Sequence, residues 1–135
     1  MRDAKYALLG SLILLICTTL SIGAERKEFI ATLSNGVQRV DVLAGSYFFA
    51  PNYIIVKVNV PLEMKIRKEG LIPHNFVIHA VDAGMDVKSD LGTDQIVITF
   101  TPTKPGVYPF YCDKKTIFMS SHKEKGMEGT LEVRE

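Results

Sequence analysis

The sequence predicts an antiparallel β-sandwich or barrel, and three observations support this fold class. Apolar and polar residues alternate along several short runs, among them 64–67, 96–100 and 131–134, and this is the period of a strand with one buried face. The run 54–60 is dense in β-branched residues, which fit a pleated, half-buried surface. Glycine, proline and asparagine separate these runs at short intervals, as in an all-β domain.

The first predicted strands follow from turn signals. An Asn-Gly pair at 35–36 separates strands over 28–33 and 37–43. A short strand at 46–49 ends before the Ala-Pro-Asn turn at 50–52.

The next three predicted strands follow from composition and alternation. The β-branched run gives a strand over 53–60, and Pro61 ends it. Alternation then predicts a strand over 62–68, and another strand, 74–81, follows the next proline.

The last predicted strands are 95–101, 106–111 and 128–134, and a Pro-rich turn separates the first two. The segment 115–125 is compatible with a helix, but it is too short and too polar for a core helix. We expect it to be a loop with one or two helical turns.

Residues 1–24 have the layout of a secretory signal peptide. A basic-leaning start precedes nineteen uncharged residues, 6–24, which end in the small residues Gly23 and Ala24. Cleavage after Ala24 is the preferred interpretation. An uncleaved membrane anchor is the alternative, because nineteen uncharged residues just span a bilayer. The chain is therefore predicted to be exported, to the periplasm or another extracytoplasmic compartment, and to meet a membrane only if this segment is retained.

The remaining segment, 25–135, is predicted to be one monomeric domain. It contains 14 basic and 14 acidic residues, and this balance argues against nucleic-acid binding. A domain of this length builds a core without disulfide bonds. Cys112 is the one cysteine of the segment, so a disulfide framework is excluded, and an unpaired thiol in an oxidising compartment needs an explanation.

Four residues stand where their side chains can meet. His74 begins a predicted strand, Cys112 ends another, and His122 and Met127 lie in the connection to the last strand. Singly, each has a structural interpretation as a core or surface residue. Together, two imidazoles, a thiolate and a thioether suit copper, and a metal-bound thiolate is deprotonated and protected from oxidation.

Four motifs in the same order carry a resemblance to a known family. They are Phe-x-Pro-x-x-Ile-x-Val-Lys at 49–57, Pro-His-Asn at 73–75, Gly-x-Tyr-x-Phe-Tyr-Cys at 106–112 and His-x4-Met-x-Gly at 122–129. This pattern resembles that of the small blue-copper proteins, in the plastocyanin-like branch of the cupredoxins.

The resemblance implies a fold and a function. The fold would be a cupredoxin-like Greek-key β-sandwich or barrel of about seven or eight strands. One copper ion would be held by His74, Cys112 and His122 in a plane, with Met127 as a weak axial ligand. The protein would carry single electrons rather than catalyse a reaction, and its partners would be redox proteins such as a cytochrome, an oxidase or a reductase.

The sequence departs from that family in one place. Nine residues, 113–121, separate Cys112 from His122, whereas the family has a much shorter spacing. A longer connection reaches the same point only if it folds back, and we expect a short helical turn in 113–121 and packing of residues 117–119 to achieve this. Asp113 or Met119 is an alternative ligand.

Two further features have alternative interpretations. His79 lies five positions after His74, so on a regular strand it faces the other side of the sheet, and we interpret it as structural or exposed. The lysines at 114, 115, 123 and 125 outnumber the acids of the loop. They form either a solvated surface or a rim that docks an acidic redox partner.

Other functions remain open at this point. The same ligands suit copper delivery, storage or sensing, and zinc accepts them too. A Cys–His pair also suits a nucleophilic enzyme such as an acyl transferase. A two-copper site of the terminal-oxidase type is excluded, because it needs a second cysteine between Cys112 and His122 and the sequence has none.

Overall fold

Residues 25–135 form eleven β-strands and one short 3₁₀ turn, Val81–Ala83, in a computed structural model of the protein. The structure describes these residues, and the predicted leader, residues 1–24, lies outside them. The strands are β1 Glu28–Ile30, β2 Thr32–Ser34, β3 Val37–Gly45, β4 Phe48–Ala50, β5 Tyr53–Lys57, β6 Leu62–Lys68, β7 His74–Ala80, β8 Met85–Leu91, β9 Ile96–Phe100, β10 Gly106–Tyr111 and β11 Glu128–Arg134.

The strands form two sheets with a shared core, which confirms the predicted β-sandwich. One sheet has the order β1-β5-β11-β10-β7-β8, and the other has the order β2-β3-β6-β9 with β4 paired to β3. Strands that are distant in sequence are neighbours, as β5 and β11 are, so the chain crosses repeatedly between the sheets.

The pairing is mixed rather than purely antiparallel. Among the described strands, β1 with β5, β5 with β11, and β3 with β6 run parallel, and the other pairs run antiparallel. The parallel pairs arise where the chain leaves one sheet and returns to it after a crossover, which two-residue hairpins cannot provide.

Two features of the strand pattern differ from the sequence expectation. The predicted strand 28–33 is divided at the buried Ala31, so that β1 pairs in one sheet and β2 in the other. β8 was not predicted: Met85, Val87 and Leu91 share one face, but Ser89 interrupts the apolar alternation and only the end residues are fully buried. It lies at the edge of its sheet, where one-sided burial weakens the apolar signal.

Three phenylalanines organise the core beneath one end of the sandwich. The rings of Phe76 and Phe110 stack with their centroids 5.3 Å apart, and the Phe49 ring lies edge-on to both. Phe76 lies two residues after His74 on β7, and Phe110 lies two residues before Cys112. Because side chains two apart on a strand share a face, the ring cluster directs both residues toward the same interior.

No helix in residues 25–135 is both long enough and apolar enough to cross a bilayer.

The close contact at Gly129 on β11 yields a stability prediction. A methyl group there would overlap the Phe110 ring and lie 2.7 Å from the carbonyl oxygen of Asn52. We expect Gly129→Ala to lower the free energy of unfolding by about 1–3 kcal/mol, measured by urea denaturation. The control is Gly92→Ala, whose methyl group meets nothing within 4 Å. Equal stability of the two variants would contradict the prediction.

Candidate metal centre

Three buried side chains meet at one end of the sandwich. The Nδ1 atoms of His74 and His122 lie 3.1 Å apart, and the Sγ atom of Cys112 lies 4.0 Å from the first and 3.5 Å from the second. None of the three residues is more than 2% exposed. The structure therefore brings together three of the four side chains that the sequence suggested as ligands.

Each of these donors comes from a strand end or from the segment after it. His74 is the first residue of β7, and Cys112 follows the last residue of β10. β7 and β10 are paired neighbours, so the two side chains start from adjacent strands. His122 comes from the segment 112–127, which connects β10 to β11 and returns to the same end.

A single hydrogen-bonded turn, residues 121–126, holds His122. The Ser121 hydroxyl accepts a hydrogen bond from the Glu124 N–H at 3.2 Å, and the Glu124 carboxylate accepts one from the Ser121 N–H at 2.6 Å. This reciprocal pair is a capping box, and its hydrogen bonds lower the pKa of Glu124. Because His122 directly follows the cap, the cap fixes its backbone.

The other end of this turn is also capped. Gly126 adopts a left-handed conformation with φ 94°. Its N–H donates to the Lys123 carbonyl at 2.8 Å, and the Met127 N–H donates to the His122 carbonyl at 2.9 Å. This is a Schellman motif. We expected one or two helical turns within 115–125 and a short helical turn in 113–121, and the capped turn at 121–126 overlaps the first of these ranges. The Ser-x-x-Glu spacing and the following glycine were the sequence signal for its position.

The nine-residue connection folds back through its backbone. Lys115 and Ser121 form an isolated β-bridge, and the His122 N–H donates to the Lys114 carbonyl at 2.9 Å. The expectation that residues 117–119 pack down was wrong, because all three side chains are exposed. Backbone pairing closes the connection, and apolar burial has no part in it.

The Asn75 side chain links β7, the strand of His74, to Asp113, the residue after Cys112. Its side-chain oxygen accepts from the Asp113 N–H at 3.0 Å, and its side-chain nitrogen donates to the Asp113 carboxylate at 2.6 Å. Lys88 donates to the other carboxylate oxygen at 2.6 Å. The hydrogen bonds from Lys88 and Asn75 lower the pKa of Asp113. Both oxygens of Asp113 thus have partners, and neither belongs to the donor cluster.

Met127 is attached to both halves of the centre through its backbone. Its carbonyl accepts from the Cys112 N–H at 3.0 Å, and its N–H donates to His122. Its side chain is fully buried in the core cluster. Its role as an axial ligand stays a prediction.

Tyr47 covers the two histidines and was not identified from the sequence. Its ring lies edge-on to both imidazoles, with centroids 5.0 Å from His122 and 6.5 Å from His74. The Lys125 ammonium lies 4.4 Å above the tyrosine ring. Tyr47 adopts φ 64°, an unusual conformation for a non-glycine residue. A tyrosine in a turn has no periodic neighbours, so pattern analysis could not select it.

The environment keeps both imidazoles neutral. Burial, followed by the proximity of His122 and Lys68, lowers the pKa of His74 to about 4. Burial, followed by Lys125, lowers the pKa of His122. At neutral pH the two rings therefore offer unprotonated nitrogen, which is the form that binds metals.

Burial and hydrogen bonding have opposite effects on the pKa of the Cys112 thiol. Burial raises its pKa, and the backbone N–H groups of Asn75 and Lys114 oppose that rise by hydrogen bonding to the sulfur. The Asn75 N–H lies 3.4 Å from Sγ. These donors would stabilise a thiolate once a cation offsets the cost of burying its charge.

The remaining candidates lie elsewhere. His79 is exposed and its Nδ1 lies 2.8 Å from the Asp86 carboxylate, in agreement with the interpretation that it faces away from the centre. Met119 lies at the exposed end of the connection.

The donor set fits a copper ion. At most one proton can lie between two Nδ1 atoms 3.1 Å apart, so at least one lone pair points into the cluster. The Nε2 atom of His74 has no hydrogen-bond partner among the described residues, so its ring is not held by a second bond. Two imidazoles beside a thiol are the set that soft, redox-active copper prefers.

Comparisons with known proteins agree with this geometry. The sequence profile of the family described as "Cupredoxin-like domain" matches residues 9–131. No curated protein sequence matches the chain significantly.

Several solved structures share the fold. The metal-binding domain of the Cu(I)-exporting P-type ATPase CopA of Streptococcus pneumoniae, solved with Cu(I), is 20% identical, with coverage of 82% of this chain and 99% of that chain and a TM-score of 0.64. A copper binding protein in the apo form is 22% identical, with coverage of 82% and 100% and a TM-score of 0.62. Reduced auracyanin from Roseiflexus castenholzii is 20% identical, with coverage of 72% and 97% and a TM-score of 0.52. At these identities the likeness supports the fold alone.

The neutral His74 predicts a pH dependence for the metal-free protein. Its pKa of about 4 in the fold lies below the ordinary value of 6.5. Between these values the unfolded chain binds more protons, so the free energy of unfolding falls as the pH is lowered from about 6.5 towards 4. Urea denaturation across this range measures the loss. His74→Gln should reduce it, and the control His79→Gln should retain it. The same loss in both variants would contradict the assignment to His74.

Proposed function

This chain belongs to the cupredoxin-like domain family, and we propose that it is an exported copper protein that carries single electrons between redox partners. One observation supports the proposal above all others. Two imidazole nitrogens and a thiol sulfur, all buried, converge within 4.8 Å of one another. The partners would be redox proteins such as a cytochrome, an oxidase or a reductase.

The proposed ligands are His74, Cys112 and His122, with Met127 as a weak axial ligand. The Nδ1 atoms of both histidines and the Sγ atom of the cysteine face one another. The backbone of Met127 is hydrogen-bonded to Cys112 and His122, so the Met127 side chain originates next to the other two ligands of its segment. One copper ion is the expected content.

Copper held by two imidazoles, a thiolate and a thioether cycles between Cu(I) and Cu(II). The protein residues keep the donors in place during that change. The capped turn at 121–126 holds His122, and Asn75 links the strand of His74 to the strand of Cys112. Donors that cannot move need little reorganisation when the charge changes, and this suits rapid electron transfer.

Burial argues against a nucleophilic enzyme. Cys112 has no exposed surface, and a nucleophile must reach its substrate. Burial also raises the pKa of its thiol, whereas a catalytic cysteine needs a lowered one. The proposed activity makes and breaks no bond in a substrate, so we do not propose an enzyme.

Copper delivery is the second candidate, and the connection 113–121 favours it. Its outer residues are exposed, so it offers a segment that a copper acceptor can displace. The solved structures of the same fold include the Cu(I)-bound metal-binding domain of a Cu(I)-exporting ATPase. The ligands would be the same, and only the fate of the metal would differ.

Copper loading tests the ligand set. Every described strand and every residue of the described core lie within residues 28–134, so the test uses a protein that starts at residue 25. Addition of Cu(II) should produce an intense thiolate-to-copper absorption band, because Cys112 Sγ is a ligand. Cys112→Ser should abolish the band, and the exposed control His79→Gln should keep it. A band that survives Cys112→Ser would overturn the proposal.

Copper retention separates the two candidates. A carrier should keep copper in both oxidation states, because loss of the metal ends its function. We expect the copper-loaded protein to give a reversible voltammogram and to lose little Cu(I) to the chelator bicinchoninate, followed by absorbance. Release to the chelator within minutes would instead favour delivery.

A further inference from the structure

The connection between Cys112 and His122 carries three exposed apolar residues at its outer bend, Ile117, Phe118 and Met119, which we call the loop tip. Ile117 is 79% exposed and Phe118 is 102% exposed. Phe118 has φ 64°, a left-handed conformation that is costly for a non-glycine residue. Large apolar side chains held outward in this way indicate an interaction surface.

Three lysines lie close to the loop tip along the chain, one at the bridge that closes it and two in the turn that follows it. Lys115, Lys123 and Lys125 have no carboxylate partner within 4.0 Å among the described residues. Lys123 lies over the Tyr111 ring at 4.5 Å, and Lys125 lies over Tyr47. The ammonium groups of Lys123 and Lys125 lie over aromatic faces, and Lys125 also donates to the Tyr47 hydroxyl at 3.4 Å, so these charges are held at the surface without a carboxylate from residues 25–135 to neutralise them.

Two more features lie at the same end of the domain. Leu71, in the segment that leads into His74, is 97% exposed. Arg26, close to the start of the described chain, stacks on Tyr53 at the start of β5, and β5 pairs there with the start of β11. The described chain therefore starts at the same end of the sandwich as the metal centre.

We infer that the loop tip inserts into a bilayer that contains anionic lipids, and that the lysines around it bind the headgroups. Three exposed apolar side chains beyond the Lys115–Ser121 bridge suit insertion between lipids. Basic side chains beside an apolar tip match the two components of a charged membrane surface.

This inference goes beyond the proposed function and does not depend on copper. Docking through the tip would hold His74, Cys112 and His122 close to the membrane surface. A membrane-bound redox partner could then be reached by diffusion in two dimensions.

A single tryptophan tests the inference, because the chain has none of its own. Phe118→Trp, made in the metal-free protein that starts at residue 25, places the reporter at the loop tip. With vesicles of phosphatidylcholine and phosphatidylglycerol in equal parts, its fluorescence should shift to shorter wavelength. The matched control is Val107→Trp, at a residue that is 66% exposed at the far end of β10, and its emission should not move.

Additional variants separate apolar and charged contributions in the Phe118→Trp background. Ile117→Ser should weaken vesicle binding about tenfold, because it removes an apolar side chain that enters the bilayer on binding. Lys115→Gln and Lys123→Gln should each weaken it about fivefold, and neutral phosphatidylcholine vesicles should bind more weakly still. An unshifted emission from Phe118→Trp, or an equal shift in Val107→Trp, would overturn the inference and leave an acidic redox protein as the partner of this surface.

Discussion

Two backbone hydrogen bonds at Met127 hold the metal centre together. Its carbonyl accepts from the Cys112 N–H at 3.0 Å, and its N–H donates to the His122 carbonyl at 2.9 Å. The first bond joins the two ends of the segment 112–127, and the second joins Met127 to His122, so Met127 links the backbones that carry the thiol and the second imidazole. The capped turn at 121–126 and the hydrogen bonds between Asn75 and Asp113 add further constraints on the backbone at His122 and next to Cys112.

Much of the fold could be predicted from the sequence, because most strands bury one face. β6 alternates buried and partly exposed residues along most of its length, and the spacing of its apolar residues shows this directly. β8 gave a weaker signal, since it lies at a sheet edge and its alternation, Met85 and Val87 with polar neighbours, is interrupted at Ser89. The division of β1 from β2 at Ala31 was also hidden, because it depends on which sheet each half joins.

The centre was predictable to a different degree for each residue. His74, Cys112 and His122 belong to motifs with characteristic neighbours, and the structure brings them together. Tyr47 contacts both imidazoles from a turn that is distant in sequence, and a contact of this kind exists only in three dimensions. We expected the connection 113–121 to fold back through apolar packing of residues 117–119. It does fold back, but through backbone pairing of Lys115 with Ser121.

The bridge between Lys115 and Ser121 has a consequence for how such a chain can diversify. Below the bridge lie the cap, the donors and the bonds of Met127. Above it lie residues 116–120, which no donor depends on. The outer part can therefore change in length and chemistry as a separate module, while the donor cluster beneath it is inherited unaltered. Selection could then alter where the protein docks without retuning its metal.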